Sequence, residues 1–197
     1  MMHKPFSESC EQNRDPILQV IGPLLRHSSS LLEIGSGTGQ HAVYFGARLP
    51  HLRWQASDCA DYLPGIRLWI DEAGLTNVPQ PLELDVTRAW PALSVDAVFS
   101  ANSVHIMHWH MVEALFAGIG RVLPSGGKFL LYGPFNYQGR YTSESNARFD
   151  AWLKARDPGS GIRDIDKLVQ LAENAGLSLS DDFSMPANNR ILYWQRS

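Results

Sequence analysis

Three alternating glycines follow an acid in Glu33-Ile34-Gly35-Ser36-Gly37-Thr38-Gly39, between an apolar run and an amphipathic one. Glycine lets the main chain turn sharply and approach a ligand with no Cβ in the way. The N–H groups that open the following helix favour an anion. Asp58 closes the next apolar run. Its carboxylate can accept two hydrogen bonds from a vicinal diol, as an acid does in dinucleotide folds about 20 residues after the glycines. Two other loops fit poorly. The dinucleotide fingerprint G-x-G-x-x-G sets its third glycine one position later, and the lysine and hydroxyl that finish a P-loop are missing.

Other candidates lie further on. His105 follows AVFSAN by a few residues and is a candidate general base, because imidazole titrates near neutral pH. The competing reading is a histidine packed at a helix start or shaping a ligand pocket. His105, His108 and His110 raise the question of a metal. Spacing of three shares a helix face but spacing of five does not, no nearby cysteine completes a set, and no metal is expected. His41 reads as a contact to the ligand or to the helix start. Asn102, Tyr132, Asn136 and Tyr141 could orient a polar acceptor, and Asn146, Asp164, Asn188 and Asn189 form a second polar set. Asn188 and Asn189 read equally as turn residues, since Asn tolerates left-handed backbone. Trp54, Trp69 and Trp152 read as core.

Elements must bring these groups together. Ile17, Val20, Ile21, Leu24 and Leu25 recur at helical spacing, predicting a leading helix over about 12–27 with Asp15 and Pro16 as its start. SLLEI, LRWQASD, PLELD, DAVFSAN and KFLLYGP read as strands, separated by helices at QHAVYFGARL, 61–74 and 110–123. Such alternation predicts an α/β parallel sheet covered on both faces. After Pro134 come helices near 145–155 and 164–175, then LSLSDDF and RILYWQR, an antiparallel hairpin at the sheet edge.

Composition narrows the class. A chain of 197 residues suits one domain, with a core over about 30–134 and C-terminal helices and hairpin over about 135–197. Hydrophobic residues at 44% exclude a disordered chain. A net charge of -3 with no basic run argues against a nucleic-acid partner. No apolar run approaches the roughly 18 residues of a membrane span and no leader is evident, so a cytoplasmic protein without a membrane partner is expected. Cys10 and Cys59, far apart and outside any CxxC, are expected to be free thiols.

The acid and glycines resemble motif I of the class I S-adenosylmethionine-dependent methyltransferases, with Asp58 and Asp85 at the matching strand ends. That resemblance implies a Rossmann-like, doubly wound, mostly parallel seven-stranded sheet with an antiparallel edge hairpin. It implies S-adenosyl-L-methionine held by Gly35, Ser36, Gly37 and Gly39, its ammonium by Glu33, its ribose by Asp58 and its adenine by Asp85 and Val86. Arg14 on the leading helix, His41 and Asn102 would complete the cofactor site. Over nearly its full length the chain also resembles the methyltransferase-like 26 family. The carrying residues are Asn13-Arg14-Asp15-Pro16-Ile17-Leu18, Trp54-Gln55-Ala56-Ser57-Asp58, Tyr132-Gly133-Pro134, Gly161-Ile162-Arg163-Asp164 and Met185-Pro186-Ala187-Asn188-Asn189. That family supplies no acceptor.

The expected reaction is in-line methylation of an oxygen or nitrogen on a small molecule, which chiefly requires alignment. His105 is the candidate base, with Tyr132 and Asn136 at the reacting atoms. The fourth strand ends Ser100-Ala101-Asn102-Ser103 and lacks the N-P-P-Y of amino-methylating nucleic-acid enzymes. Two alternatives stand: a non-catalytic S-adenosylmethionine-binding protein, and a nicotinamide-dependent oxidoreductase, which the glycine spacing and Asp85 oppose.

Overall fold

In the computed structural model, which describes residues 3–197, helix α1 (Glu8–Leu25) precedes β1 (Ser30–Ile34), α2 (Gln40–Arg48), β2 (Arg53–Asp58), α3 (Leu63–Ala73) and β3 (Leu82–Glu83). Then come β4 (Ala97–Ala101), α4 (Trp109–Val122), β5 (Lys128–Gly133), β6 (Phe135–Asn136), α5 (Glu144–Arg156), β7 (Arg163–Asp164), α6 (Ile165–Asn174), β8 (Leu177–Met185) and β9 (Asn189–Arg196). Seven strands form one sheet in the order β3-β2-β1-β4-β5-β9-β8. The first five are parallel, and β9 enters antiparallel between β5 and the edge strand β8. This is the Rossmann-like, mostly parallel sheet with an antiparallel edge that the sequence leads one to expect. Strand order reverses at β1 and β4, and in such sheets ligands bind beyond the carboxyl ends at that switch point.

The central strands read as unbroken apolar runs because helices cover both faces. On one face Val112, Leu115, Phe116 and Ile119 of α4 and Leu168 of α6 pack on Phe129 and Trp194. On the other, Ile17 and Ile21 of α1, Phe45 of α2 and Ile66 of α3 pack on Trp54 and Phe99. The Phe45, Trp54 and Phe99 rings lie 5.2–5.7 Å apart, within the range of favourable aromatic pairs.

Several expectations are corrected. The leading helix starts at Glu8, four residues before the expected bound, and Asp15 and Pro16 lie inside it. Ser7 caps it by accepting the Cys10 N–H, and Glu8 and Glu11 favour the positive end of its dipole. Pro16 removes one backbone bond, yet burial of Ile17, Ile21 and Leu25 keeps the helix continuous. PLELD is strand only at Leu82 and Glu83, because the chain turns at Asp85, whose carboxylate accepts the Thr87 N–H and hydroxyl. A small parallel pair, β6 with β7, has no counterpart in the sequence reading. Trp54 is core, but Trp152 is 51% exposed and stacks on Phe149, while Trp69 is half-buried and donates to the Pro5 carbonyl.

Gly39 precedes α2 in a left-handed conformation (φ 92°), and a Cβ there would lie 3.0 Å from the Ile66 Cα on α3. Strain and contact act together. Gly39→Ala is therefore expected to destabilise the protein by about 1–3 kcal/mol, read as a lower urea midpoint with an unchanged slope.

Candidate active site

The glycine turn is held from below. Gly35 N–H and Ser36 N–H both donate to the Ser57 carbonyl at 3.0 Å, and the Ser57 hydroxyl returns a bond to the Glu33 carbonyl at 2.6 Å. Gly37 N–H donates to Asp58 Oδ2 and Cys59 N–H to Asp58 Oδ1, each at 2.8 Å. The carboxyl ends of β1 and β2 are thus tied, and Asp58 is fixed at the edge of the turn. Gly35, Gly37 and Gly39 all have positive φ, which bulky residues resist. The Gly37 N–H is spent on Asp58; the Thr38 N–H is unpaired among the described residues.

Above the turn opens a cavity of about 1030 Å³, at the upper end of small-molecule sites. Its floor is Gly35, Ser36, Gly37, Thr38, His41 and Asp58, and its far wall includes Asn102, His105, Met111, Tyr132, Asn146 and Phe149. The structure therefore brings together most residues singled out from sequence. It leaves others out: Arg14, Glu33, Gly39, Asp85, Val86 and Asn136 do not line the cavity. Arg14 pairs with Glu11 at 2.6 Å and lies over the Tyr44 ring. Asp85 faces Thr87 and Arg88, and hydrogen bonds from Thr87 lower its pKa. Asn136 stands in β6 with its Oδ1 buried and unpartnered, while Val86 packs in the core. Tyr141 is exposed and donates to Asp150, and Asp164 caps α6. Asn188 and Asn189 serve both of their readings, lining the cavity and making the turn between β8 and β9, with Asn188 at φ 58°.

Sequence reasoning set the leading helix at the site through Asn13 and Arg14 but missed the rest of its lip. Ser7, Ser9, Cys10, Gln12 and Asn13 of the first turns of α1 line the cavity opposite the far wall. Gln40 holds that lip: its Oε1 accepts the Ser7 N–H at 2.6 Å and its Nε2 donates to Glu11 at 2.9 Å. Asn13 Oδ1 meets His41 Nε2 at 2.7 Å. The signal available was Ser7 followed by Glu8 and Glu11, a helix start earlier than Pro16.

Charge is scarce here. His41 is pushed down to about 4 by burial and the nearby Arg14, and His105 to about 4 by burial and Arg163, so both are neutral at pH 7. His105 Nδ1 is buried and unpartnered, and its ring meets Phe149 edge-on at 5.3 Å. Its loop is clamped: Gly161 N–H donates to the His105 carbonyl at 2.8 Å, and Arg163 donates to the Val104 and Met107 carbonyls. Burial raises the pKa of Asp58, the one carboxyl group lining the cavity among the described residues. His108 instead pairs with Asp157 at 2.8 Å, and no cluster of three metal-type ligands occurs among the described residues.

The sheet order and the cavity at the switch point define the class I methyltransferase fold. Over residues 4–196 the chain matches the family described as "Protein of unknown function (DUF938)", and it belongs to that family. Similar solved structures include the mitomycin 7-O-methyltransferase MmcR, 18% identical with a TM-score of 0.78, covering 88% of this chain and 50% of that one. Another is CalO1, a methyltransferase in calicheamicin biosynthesis, at 18% identity and TM-score 0.79, covering 96% and 54%. Among curated proteins, aclacinomycin 10-hydroxylase RdmB of Streptomyces purpurascens is 27% identical over 157 residues, 77% of this chain and 40% of the hydroxylase. The chain thus spans about half the length of these proteins.

Buried Glu33 accepts from the Ser36 hydroxyl and the Trp54 indole, both at 2.9 Å, and burial raises its pKa to about 7. Between 4.5 and about 7 the folded chain holds a proton that the unfolded chain has released, so this contribution to stability falls as pH rises. The stability difference between wild type and Glu33→Gln should accordingly shrink by about 1 kcal/mol per pH unit over that window. Urea unfolding at a series of pH values checks this, and a pH-independent difference would show that Glu33 does not titrate there.

Proposed function

We propose that this protein is an S-adenosylmethionine-dependent methyltransferase acting on an oxygen or nitrogen of a small molecule. The observation that carries the reading is one continuous cavity that holds both the Asp58 carboxylate and the neutral imidazole of His105. The residues present fit the cofactor. A Cβ on Gly37 would meet nothing within 4 Å, so that face of the turn is open. Each Asp58 oxygen accepts one backbone N–H and keeps a lone pair for a ribose hydroxyl. Thr38 N–H at the start of α2 suits a carboxylate. When bound, S-adenosylmethionine would supply an electrophilic methyl group that an acceptor oxygen or nitrogen takes from the sulfonium sulfur, with release of the thioether and of the acceptor's proton.

The chain's own groups would hold and orient. Gly37, Thr38 and Asp58 bind, with His41 beside them on the floor, while the α1 lip closes the cavity and excludes water. His105, which lines the cavity as a neutral imidazole, accepts the acceptor's proton and later passes it to solvent. Tyr132 borders the reacting region; burial holds its phenol protonated, so it orients by hydrogen bonding. Asn136 has no part in this site. The closer likeness to the methyltransferase-like 26 family, a cytoplasmic setting and the absence of a nucleic-acid partner belong to the same proposal. No helix among the described residues is long and apolar enough to cross a membrane. A second reading, use of the cofactor without methyl transfer, is favoured by one observation, the similarity to a protein named as a hydroxylase.

Thermal denaturation with S-adenosylmethionine, S-adenosylhomocysteine or NAD tests the cofactor. Ligand at a hundred times its Kd is expected to stabilise by about 2.7 kcal/mol, and a shift with NAD alone would overturn the reading. His105→Ala is expected to lower methyl transfer by about 10²–10⁴-fold while leaving the cofactor-induced shift intact. Because the base acts when deprotonated, the rate it supports falls only as pH drops through about 4. A rate midpoint near 6.5, or undiminished transfer by the variant, would remove His105 from this role.

A further inference from the structure

Resting on the reading above, we infer that the methyl acceptor is an uncharged molecule with a flat apolar body, presenting a hydrogen-bond donor to Asn146. The wall opposite the glycine turn contains Ile106, Met107, Met111, Pro134 and Phe149, and no lysine or arginine lines the cavity. Three cations around it have partners: Arg14 pairs with Glu11 at 2.6 Å, Arg163 is turned to the Val104, Met107 and Gly159 carbonyls, and the Lys154 ammonium is bound to Asp150 at 2.6 Å. An acceptor carrying a carboxylate or phosphate would leave water for a wall that offers it no counter-charge, a cost that neutral hydrogen bonds do not repay. Both lining histidines are neutral, so they supply no cation either.

The direction of hydrogen bonding follows from Asn146. Its amide nitrogen donates to Thr142 Oγ1 at 3.0 Å and to the Asn188 carbonyl at 3.2 Å. A backbone carbonyl only accepts, so the group facing it is the NH₂ and both of its hydrogens are used. What remains for a ligand is Oδ1, which makes no bond among the described residues and accepts only. Asn188 and Asn189 are similarly engaged through their nitrogens, with Ser145 and the Pro186 carbonyl. This rim therefore favours a hydroxyl or amine and disfavours an ether or an anion. Phe149 lies three residues after Asn146, on the same face of α5, and against His105. A flat ring against Phe149 and Met111 would carry its donor between Asn146 and the imidazole. The approach is apolar too, since Ile106 lines the cavity while 58% exposed.

Calorimetric titration with four matched probes tests this: a naphthol, its methyl ether, the corresponding naphthoate and the naphthyl phosphate. Each is titrated into the full chain with and without S-adenosylhomocysteine. The naphthol is expected to bind at least about tenfold more tightly than each of the other three. Met111→Lys, which adds a cation to the wall at a partly exposed position, is expected to raise affinity for the naphthoate. Naphthoate or phosphate binding the wild type as well as the naphthol does, the ether matching the naphthol, or none of the four binding would each overturn the inference. Failure of S-adenosylhomocysteine to bind would instead count against the cofactor reading, because the ranking of the four probes is read without it as well.

Discussion

The Asp58 carboxylate accepting the Gly37 N–H at 2.8 Å is the contact around which the cavity is arranged. Three glycines in five residues give this stretch much conformational freedom to lose on ordering. It takes up one shape here because every strand end beneath it contributes a bond. The Ser57 carbonyl takes two N–H groups, the Ser57 hydroxyl reaches the Glu33 carbonyl, and the Ser100 hydroxyl reaches the Ile34 carbonyl at 2.6 Å. These bonds require β1, β2 and β4 to end level with one another, which the parallel register supplies by pairing Glu33 with Ala56 and Phe99. The same carboxylate keeps lone pairs toward the cavity, so the residue that shapes the turn is also placed to read a ligand.

Neutrality governs the rest of the cavity. Glu33 lies beneath the turn with its carboxyl bonded to Ser36 and Trp54, and burial favours its protonated form up to about pH 7. His41 and His105 are held neutral by the same burial. A site with one charged group interacts strongly with whatever charge a ligand brings, because little competing charge or water screens it. The clamp on the His105 loop has a related effect. With three nearby carbonyls held by Gly161 and Arg163, the imidazole is presented by rigid backbone.

Much of the fold was legible because its signals are local. Alternating apolar strands and amphipathic helices give the parallel sheet, and LSLSDDF with RILYWQR gives the edge hairpin. Gly35, Gly37, Asp58, His41, Asn102, His105 and Tyr132 line the cavity because strand ends determine where they fall. The failures have physical causes. Asp85 closes a strand by sequence, but its carboxylate satisfies its own turn at Thr87 and does not line the cavity. Pro16 is a helix-start signal in general, yet here the Ser7 cap and buried Ile17, Ile21 and Leu25 outweigh it. Trp152 looks like core by type, but α5 buries only Asn146, Asp150 and Leu153, leaving the indole outside. Nothing local could show that Gln40 would fasten the α1 lip, since its partners Ser7 and Glu11 lie about 30 residues earlier.

The central claim, that Asp58 reads a ribose beside the glycine turn, is tested most directly by a calorimetric cycle. S-adenosylhomocysteine and an analogue lacking both ribose hydroxyls are titrated into wild type and Asp58→Ala. Wild type should bind the complete ligand about tenfold more tightly than the analogue, the worth of a charge-assisted hydrogen bond, while the variant binds the two alike. Equal affinities for both ligands in the wild type would contradict the claim.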